Sequence, residues 1–252
     1  MTTVRSHPNP QLERWKMPEG GPNFPYRIMR RFFQVTVGML GKVRVFNRHY
    51  EPASGSVVYI SNHQSFLDPM LMSMALRRPM NYMARDTLFR SPVFRWMITT
   101  VNAFPVKRGT ADLAAIKEAM RRLKAGGQVV IFAEGTRTRD GRIGRLFPGV
   151  SMLAQRLADW TVPVVIDGAF EAWPRTQRLP SPGNIVVQYG KPMPRAEVQN
   201  YSPEELMRLM HDRLVAIQSE LRRRVGRPAL TYEQEPSGEP RRNLAADTEK
   251  SI

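Results

Sequence analysis

The chain has 252 residues, 42% of them hydrophobic, which is enough to bury the core of one domain or of one domain with extensions. Lys and Arg number 38 against 22 Asp and Glu, and the resulting +16 predicts attraction to anionic partners, whether nucleic acid, acidic headgroups or phosphorylated substrates, without fixing a fold. There is no Cys and only four His, none in an HExxH pair, so disulfides, thiolate nucleophiles, Cys-based zinc sites and zincin-type metal sites are excluded.

Residues 1–25 carry Pro8, Pro10, Pro18, Pro22 and Pro25 and read as a flexible arm. They lack the apolar run and small-residue cleavage site of a signal peptide. Residues 26–50 read as a membrane-associating segment. The apolar run at 32–40 is too short to cross a bilayer. Arg30, Arg31, Lys42 and Arg44 bracket it, a pattern suited to a helix lying in the interface with its cations at the headgroups. An ordinary helix docked on the core fits the same pattern.

From 51 to 226, strands and helices alternate. The β-branched run at 56–61 predicts a strand, 69–76 a helix, 81–84 a strand, 89–99 a helix and 103–106 a strand. The helix at 111–125 places Leu113, Ile116, Met120 and Leu123 on one face, with Thr110 as its cap and Gly126 and Gly127 as its stop. A buried-type strand follows at 128–133, a helix at 150–158, and strands at 162–166 and 185–188. The last helix opens with a capping box, Ser202 and Glu205, with Pro203 at its first position, and Gly226 stops it. Residues 227–252 are polar and read as a disordered tail. The expected fold is α/β, a mostly parallel central sheet flanked by helices, with reactive groups in loops beyond the carboxyl ends of strands.

Two of those loops carry chemistry. In SNHQSFLDP (61–69), His63 stands where a strand hands over to a loop and Asp68 follows five residues later. On a continuous helix those positions would point about 140° apart, so a turn must join them. Pro69 places Asp68 at the N-cap of the next helix. A carboxylate curled back onto one imidazole nitrogen leaves the other free to take a proton from a hydroxyl. A bare H-x4-D also fits a helix cap beside an unrelated loop histidine. In FAEGTRTRDGR (132–142), Gly135 permits close approach, and Thr136, Arg137, Thr138 and Arg139 supply hydroxyl, amide and guanidinium donors suited to a phosphate, or simply a solvated basic hairpin. NAFPVKRG (102–109) ends a strand with Lys107 and Arg108, two cations that face the same anion or the solvent. VPVVIDG (162–168) reads as structure, with Pro163 tolerable at the start or edge of a strand.

These four segments, in this order, resemble the lysophospholipid acyltransferase family, typified by 1-acylglycerol-3-phosphate acyltransferase. Its N-H-x4-D, Arg-ending, E-G-T-R and V-P blocks correspond here to Asn62-His63 to Asp68, Phe104 to Arg108, Glu134-Gly135-Thr136-Arg137 and Val162-Pro163. The resemblance spans roughly 55–190 and marks 51–226 as an acyltransferase domain. It implies His63 as general base on the acceptor hydroxyl, oriented by Asp68. It implies Arg108 and Arg137 as phosphate ligands, Gly135 and Thr136 as shapers of that loop, and a structural or acceptor-positioning Glu134. It further implies an acyl thioester on coenzyme A or acyl carrier protein as donor, with no metal, no other cofactor and no covalent acyl-enzyme. The acceptor would be a lysophospholipid and the product phosphatidic acid for phospholipid biosynthesis. Location would be peripheral or monotopic at an anionic membrane surface, on the cytoplasmic face.

Pro105 and Lys107 depart from residues common in the family, which leaves the headgroup open, and GAFEAWPR (168–175) looks like a subgroup variant. Two alternatives stand: a sibling enzyme acting on glycerol 3-phosphate or another lysolipid, and a non-catalytic basic membrane-binding protein. No basic–aromatic RNA motif or helix-turn-helix pattern marks a nucleic-acid partner. No G-x-S-x-G elbow marks a hydrolase.

Overall fold

In the computed structural model, which describes residues 22, 24–107 and 112–232, every run read as a strand joins one eight-stranded sheet. In chain order the strands are β1 (Gly41–Phe46), β2 (Val57–Ser61), β3 (Met80–Arg85), β4 (Ala103–Val106), β5 (Gln128–Phe132), β6 (Trp160–Asp167), β7 (Gly183–Tyr189) and β8 (Met193–Pro194). Across the sheet they run β1-β7-β6-β2-β5-β3-β4, with β8 also paired to β6. All pairs are parallel except β6 with β7 and β6 with β8.

The helices are α1 (Phe24–Met39), α2 (Asp68–Ala75), α3 (Pro92–Thr100), α4 (Leu113–Lys124), α5 (Ser151–Arg156), α6 (Ala169–Ala172), α7 (Arg195–Val198) and α8 (Pro203–Arg224). They cover both faces, which is why the central strands are near-continuous apolar runs, with their polar residues, such as Ser61, Gln128 and Asp167, at or near the strand ends. Val58, Ile60, Val129 and Ile131 point to one face, where Ala119 and Leu123 of α4, Leu153 of α5 and Leu206, Met210 and Leu214 of α8 pack. Val57, Tyr59, Val130 and Val162 point to the other, against Val37 of α1, Leu71 and Met72 of α2 and Ala169 and Ala172 of α6. Each of the buried Val, Leu, Ile and Met side chains contributes about 1.5–3 kcal/mol of transfer free energy.

The capping box of α8 is present, with Ser202 and Glu205 bonding each other's backbone N–H. Four expectations change. Residues 41–46, read within a helical membrane-associating segment, are not helical: they form β1, an edge strand in register with β7, and Lys42 and Arg44 alternate with Val43 and Val45 along it. Asp112 caps α4, its carboxylate accepting from the N–H groups of Ala114 and Ala115; Thr110 lies outside the described residues. Pro163 sits within a central strand, not at an edge. Its carbonyl accepts from Gly190 N–H, so its absent N–H faces the same side, at the point where β8 has left β6 and β7 has not yet paired.

The fourth change concerns the tail read at 227–252. Its first residues dock on the domain, Arg227 pairing with Asp167 and Tyr232 bonding Gln218. The rest of that tail, and the arm at 1–25 apart from 22, 24 and 25, lie outside the described residues.

Candidate active site

Strands β2 and β5 are parallel neighbours with Ser61 opposite Phe132, so the loops after them leave the sheet at the same edge. Asn62 fastens the first loop: its side chain donates to Ile166 C=O and accepts from Ile166 N–H, each at 2.8 Å, tying the exit of β2 to β6. The chain then turns tightly, and Nδ1 of His63 lies 2.6 Å from Oδ2 of Asp68. That oxygen also accepts from the N–H groups of Gln64 at 2.6 Å and Ser65 at 2.8 Å. Asp68 is therefore not the N-cap of α2. It is the first helical residue, and its carboxylate points backward into the turn rather than along the helix.

Because that oxygen already accepts two backbone N–H groups, Nδ1 of His63 is the donor of the third bond and Nε2 keeps its lone pair. Nε2 makes no hydrogen bond among the described residues and is not one of the polar atoms sealed from solvent without a partner. The ring is more enclosed than a free loop histidine, with 8% of its side chain exposed. Phe132 stacks on one face, centroids 4.2 Å apart and planes 18° off parallel. The imidazole is thus held in one tautomer and one orientation, with its proton-accepting edge left for a substrate.

Glu134 joins the two loops. Oε1 accepts from His63 N–H at 2.9 Å and Oε2 from Gly144 N–H at 3.1 Å. Burial pushes its carboxyl up to about 7, although both N–H donors pull the other way. It holds the backbone of the base and the far end of its own loop, which makes it a positioning group. In the same loop Gly135 adopts φ 68°, and a Cβ there would meet the Phe147 ring at 3.0 Å. Thr138 donates its N–H to His63 C=O at 2.8 Å, a second tie between the loops. The Thr138 hydroxyl is spent on Asp140, at 3.1 Å, and is buried, so it is not among the donors offered to a ligand. Thr136 and Arg139 are exposed. The Arg137 guanidinium carbon lies 3.5 Å from the centroid of the Phe66 ring.

Arg108 lies outside the described residues. The strand leading to it, β4, is parallel to β3 and ends at the same edge as β2 and β5. The side chain of Lys107 is exposed, and its N–H donates to Asp112 at 2.8 Å. Among the described residues no group of three or more His, Asp or Glu could hold a metal ion.

Several residues that shape the site carry no local sequence signal. Gly141 C=O accepts from both Gln64 Nε2 at 3.0 Å and Gln218 Nε2 at 3.1 Å. Tyr232 accepts from Ile143 N–H at 3.0 Å and donates to Gln218. Asp167, fully buried at the end of β6, pairs with Arg222 at 2.8 Å and with Arg227, and holds Gln218 at 3.2 Å. Gln64, Gly141 and Asp167 stand in segments that the sequence singles out, but nothing local marks their partners Gln218, Arg222, Arg227 and Tyr232. A base braced by a carboxylate, beside a loop rich in backbone and guanidinium donors, can deprotonate a hydroxyl on an anionic substrate.

A family model described as Acyltransferase matches residues 42–167, half of the 252-residue chain. The chain belongs to the acyltransferase family. It is 28% identical, over 68% of its own length and 49% of the relative's, to a chloroplastic 1-acyl-sn-glycerol-3-phosphate acyltransferase of Arabidopsis thaliana. It is 30% identical, over 54% of its length and 40% of the relative's, to a chloroplastic enzyme of the same name from Brassica napus. The chain thus spans half or less of these two plant proteins. It is 26% identical to the 1-acyl-sn-glycerol-3-phosphate acyltransferase of Bacillus subtilis, over 75% of this chain and 92% of that one. The crystal structure of the 1-acyl-sn-glycerophosphate acyltransferase of Thermotoga maritima superposes with a TM-score of 0.69 at 23% identity, covering 78% of this chain and 79% of that chain, which shows the shared fold of this acyltransferase.

Proposed function

We propose that this acyltransferase moves a fatty acyl group from a thioester of coenzyme A or acyl carrier protein to the free hydroxyl of 1-acylglycerol 3-phosphate, giving phosphatidic acid. The observation that carries the reading is the His63–Asp68 pair at 2.6 Å, bonded through Glu134 and Thr138 to the loop that bears Arg137. The names of the relatives support the same acceptor.

In this reading the acceptor's phosphate rests on Arg137 and the Gly135–Thr136 backbone, with Arg108 as a second cation. That anchorage turns a bimolecular attack into a nearly unimolecular one. Nε2 of His63 removes the hydroxyl proton as the oxygen bonds to the thioester carbonyl carbon. Asp68 steadies the imidazolium so formed. The tetrahedral intermediate collapses, the C–S bond breaks, and the imidazolium returns the proton to the departing thiolate. The products are an oxygen ester and a free thiol, and the imidazole is regenerated.

The surface of α1 supports attachment to a membrane. Phe24, Ile28, Phe32, Val35 and Met39 form an exposed apolar stripe, while Tyr26, Met29, Phe33 and Val37 face inward. Beside it α3 exposes Val93, Phe94 and Trp96, and Arg27, Arg31, Arg90 and Arg95 are exposed on the same elements or next to them. No helix among the described residues is long and apolar enough to cross a membrane. The proposed mode is peripheral or monotopic, at the anionic cytoplasmic face, with this apolar stripe and its flanking arginines at the headgroups.

The test is acyl transfer by the purified chain on anionic vesicles, wild type beside His63→Ala. Acceptors are lysophosphatidic acid, glycerol 3-phosphate and lysophosphatidylcholine, each with acyl-CoA or acyl carrier protein. Phosphatidic acid formed by wild type alone is the expected result. Preference for another acceptor would reassign the substrate, and turnover unaffected by the substitution would overturn the mechanism.

A further inference from the structure

Phe66 lies inside the catalytic turn, between His63 and Asp68, yet 45% of it is exposed. A side chain this open does not fill the core, and what it touches is what matters. Its ring lies 3.5 Å from the guanidinium carbon of Arg137, van der Waals contact with the face of the ring. Its neighbour on another side is Trp173, with centroids 5.2 Å apart and planes inclined by 48°.

Both aromatic residues are tied to the same backbone. Ser65, adjacent to Phe66 and fully buried, gives its N–H to Asp68 and its hydroxyl to Trp173 C=O at 2.9 Å. Trp173 Nε1 donates to Gln177 C=O at 3.2 Å, closing a turn that fixes the indole. Phe66 is thereby held on one side by the turn that carries the base and on the other by the segment after α6.

A guanidinium stacked on a ring spends its face and none of its five in-plane donors. Arg137 comes from the other loop, so the stack is a side-chain link between the turn that carries His63 and the loop that carries Arg137. We propose that Phe66, backed by Trp173, is a positioning residue that sets Arg137 at a fixed place relative to His63 and so determines how tightly the acceptor's phosphate is held. This inference rests on the proposed function for the identity of the acceptor and on the geometry alone for the stack.

The test is a kinetic cycle on the full chain, using lysophosphatidic acid in anionic vesicles, with wild type, Phe66→Leu, Phe66→Tyr, Arg137→Ala and the double variant Phe66→Leu/Arg137→Ala. Phe66→Leu keeps bulk and loses the aromatic face, and the expected change is a KM for lysophosphatidic acid raised about tenfold with kcat within about twofold. Phe66→Tyr restores the affinity. In the Arg137→Ala background the leucine substitution has no further effect. A fall in kcat alone, or a full additional loss in that background, would overturn the proposal.

A second readout needs no turnover. The Arg137 Nε–H resonance is displaced by the ring current in wild type, loses that displacement in Phe66→Leu, and moves on titration with glycerol 3-phosphate at about tenfold lower concentration while the ring is present. If wild type acylates no phosphate-bearing acceptor but this dependence holds, the proposed function fails and the stack stands. If turnover is normal and the resonance is indifferent to Phe66, the stack fails and the function stands.

Discussion

The two ends of β5 each hold a buried glutamate, and their surroundings differ. Before the strand, Glu51 accepts from the N–H groups of Arg77 at 2.9 Å and Arg78 at 2.9 Å. Arg78 is itself buried and donates to Pro52, Gly55 and Gly126 carbonyls, so that end is closed by protein groups. Beyond the strand, Glu134 performs the same backbone gripping, but the N–H groups it holds belong to His63 and Gly144, in loops that line the proposed reaction site. Burial raises the pKa of both carboxyls. What separates them is which end of a parallel strand they occupy, since crossover helices leave a crevice only at the carboxyl ends.

The sharpest way to separate the two ends is to remove the chemistry while keeping the scaffold. His63→Ala is expected to lower turnover at least ~10³-fold, and Asp68→Asn ~10²-fold or more, with urea unfolding of the His63 variant close to wild type. Initial rates under saturating acyl-CoA measure both. If Asp68→Asn kept full activity, the braced tautomer would not be what drives the reaction.

The next largest effect is a pH dependence. The Glu134 carboxyl has a folded pKa raised from 4.5 to about 7, so the folded state binds that proton more tightly than the unfolded chain. Its contribution to stability is fully present below the unfolded value and is lost as pH rises through 7, an amount on the order of 3 kcal/mol. Glu134→Gln lacks this titration. Urea midpoints at pH 5 and pH 8 should therefore fall for wild type by more than for the variant. Equal slopes would mean that the carboxyl is not strained by its burial.

The smallest effect belongs to the closed end. Glu51→Ala orphans the N–H groups of Arg77 and Arg78, and unfolding should show a loss of about 2 kcal/mol with kcat per folded molecule unchanged. A change in kcat would make the two ends one cooperative unit.

The sequence made the two reactive loops readable because each pairs an apolar β-branched run with an abrupt polar turn, and because His63 and Asp68 are close enough along the chain for one turn to bring them together. It misled on the conformation of 41–46, where the alternation of Lys42 and Arg44 with Val43 and Val45 has the period of a half-exposed strand and not of a helix. It was silent on Glu134 holding the backbone of residue 63, because nothing in E-G-T-R specifies a partner 71 positions away. Gln218 and Tyr232 were equally hidden. Their partners lie 77 and 89 residues distant, and an amide and a phenol on a helix and its following segment look like ordinary surface until the chain is folded.

The carbonyl of Gly141 is gripped at once by an amide from each half of the chain, Gln64 and Gln218. A strap buckled twice cannot be lifted by undoing one buckle. Exchange of the amide hydrogens between residues 134 and 146 with solvent should therefore proceed in a single concerted opening that also loosens the start of the following segment at Tyr232, instead of creeping inward from the tip of the loop.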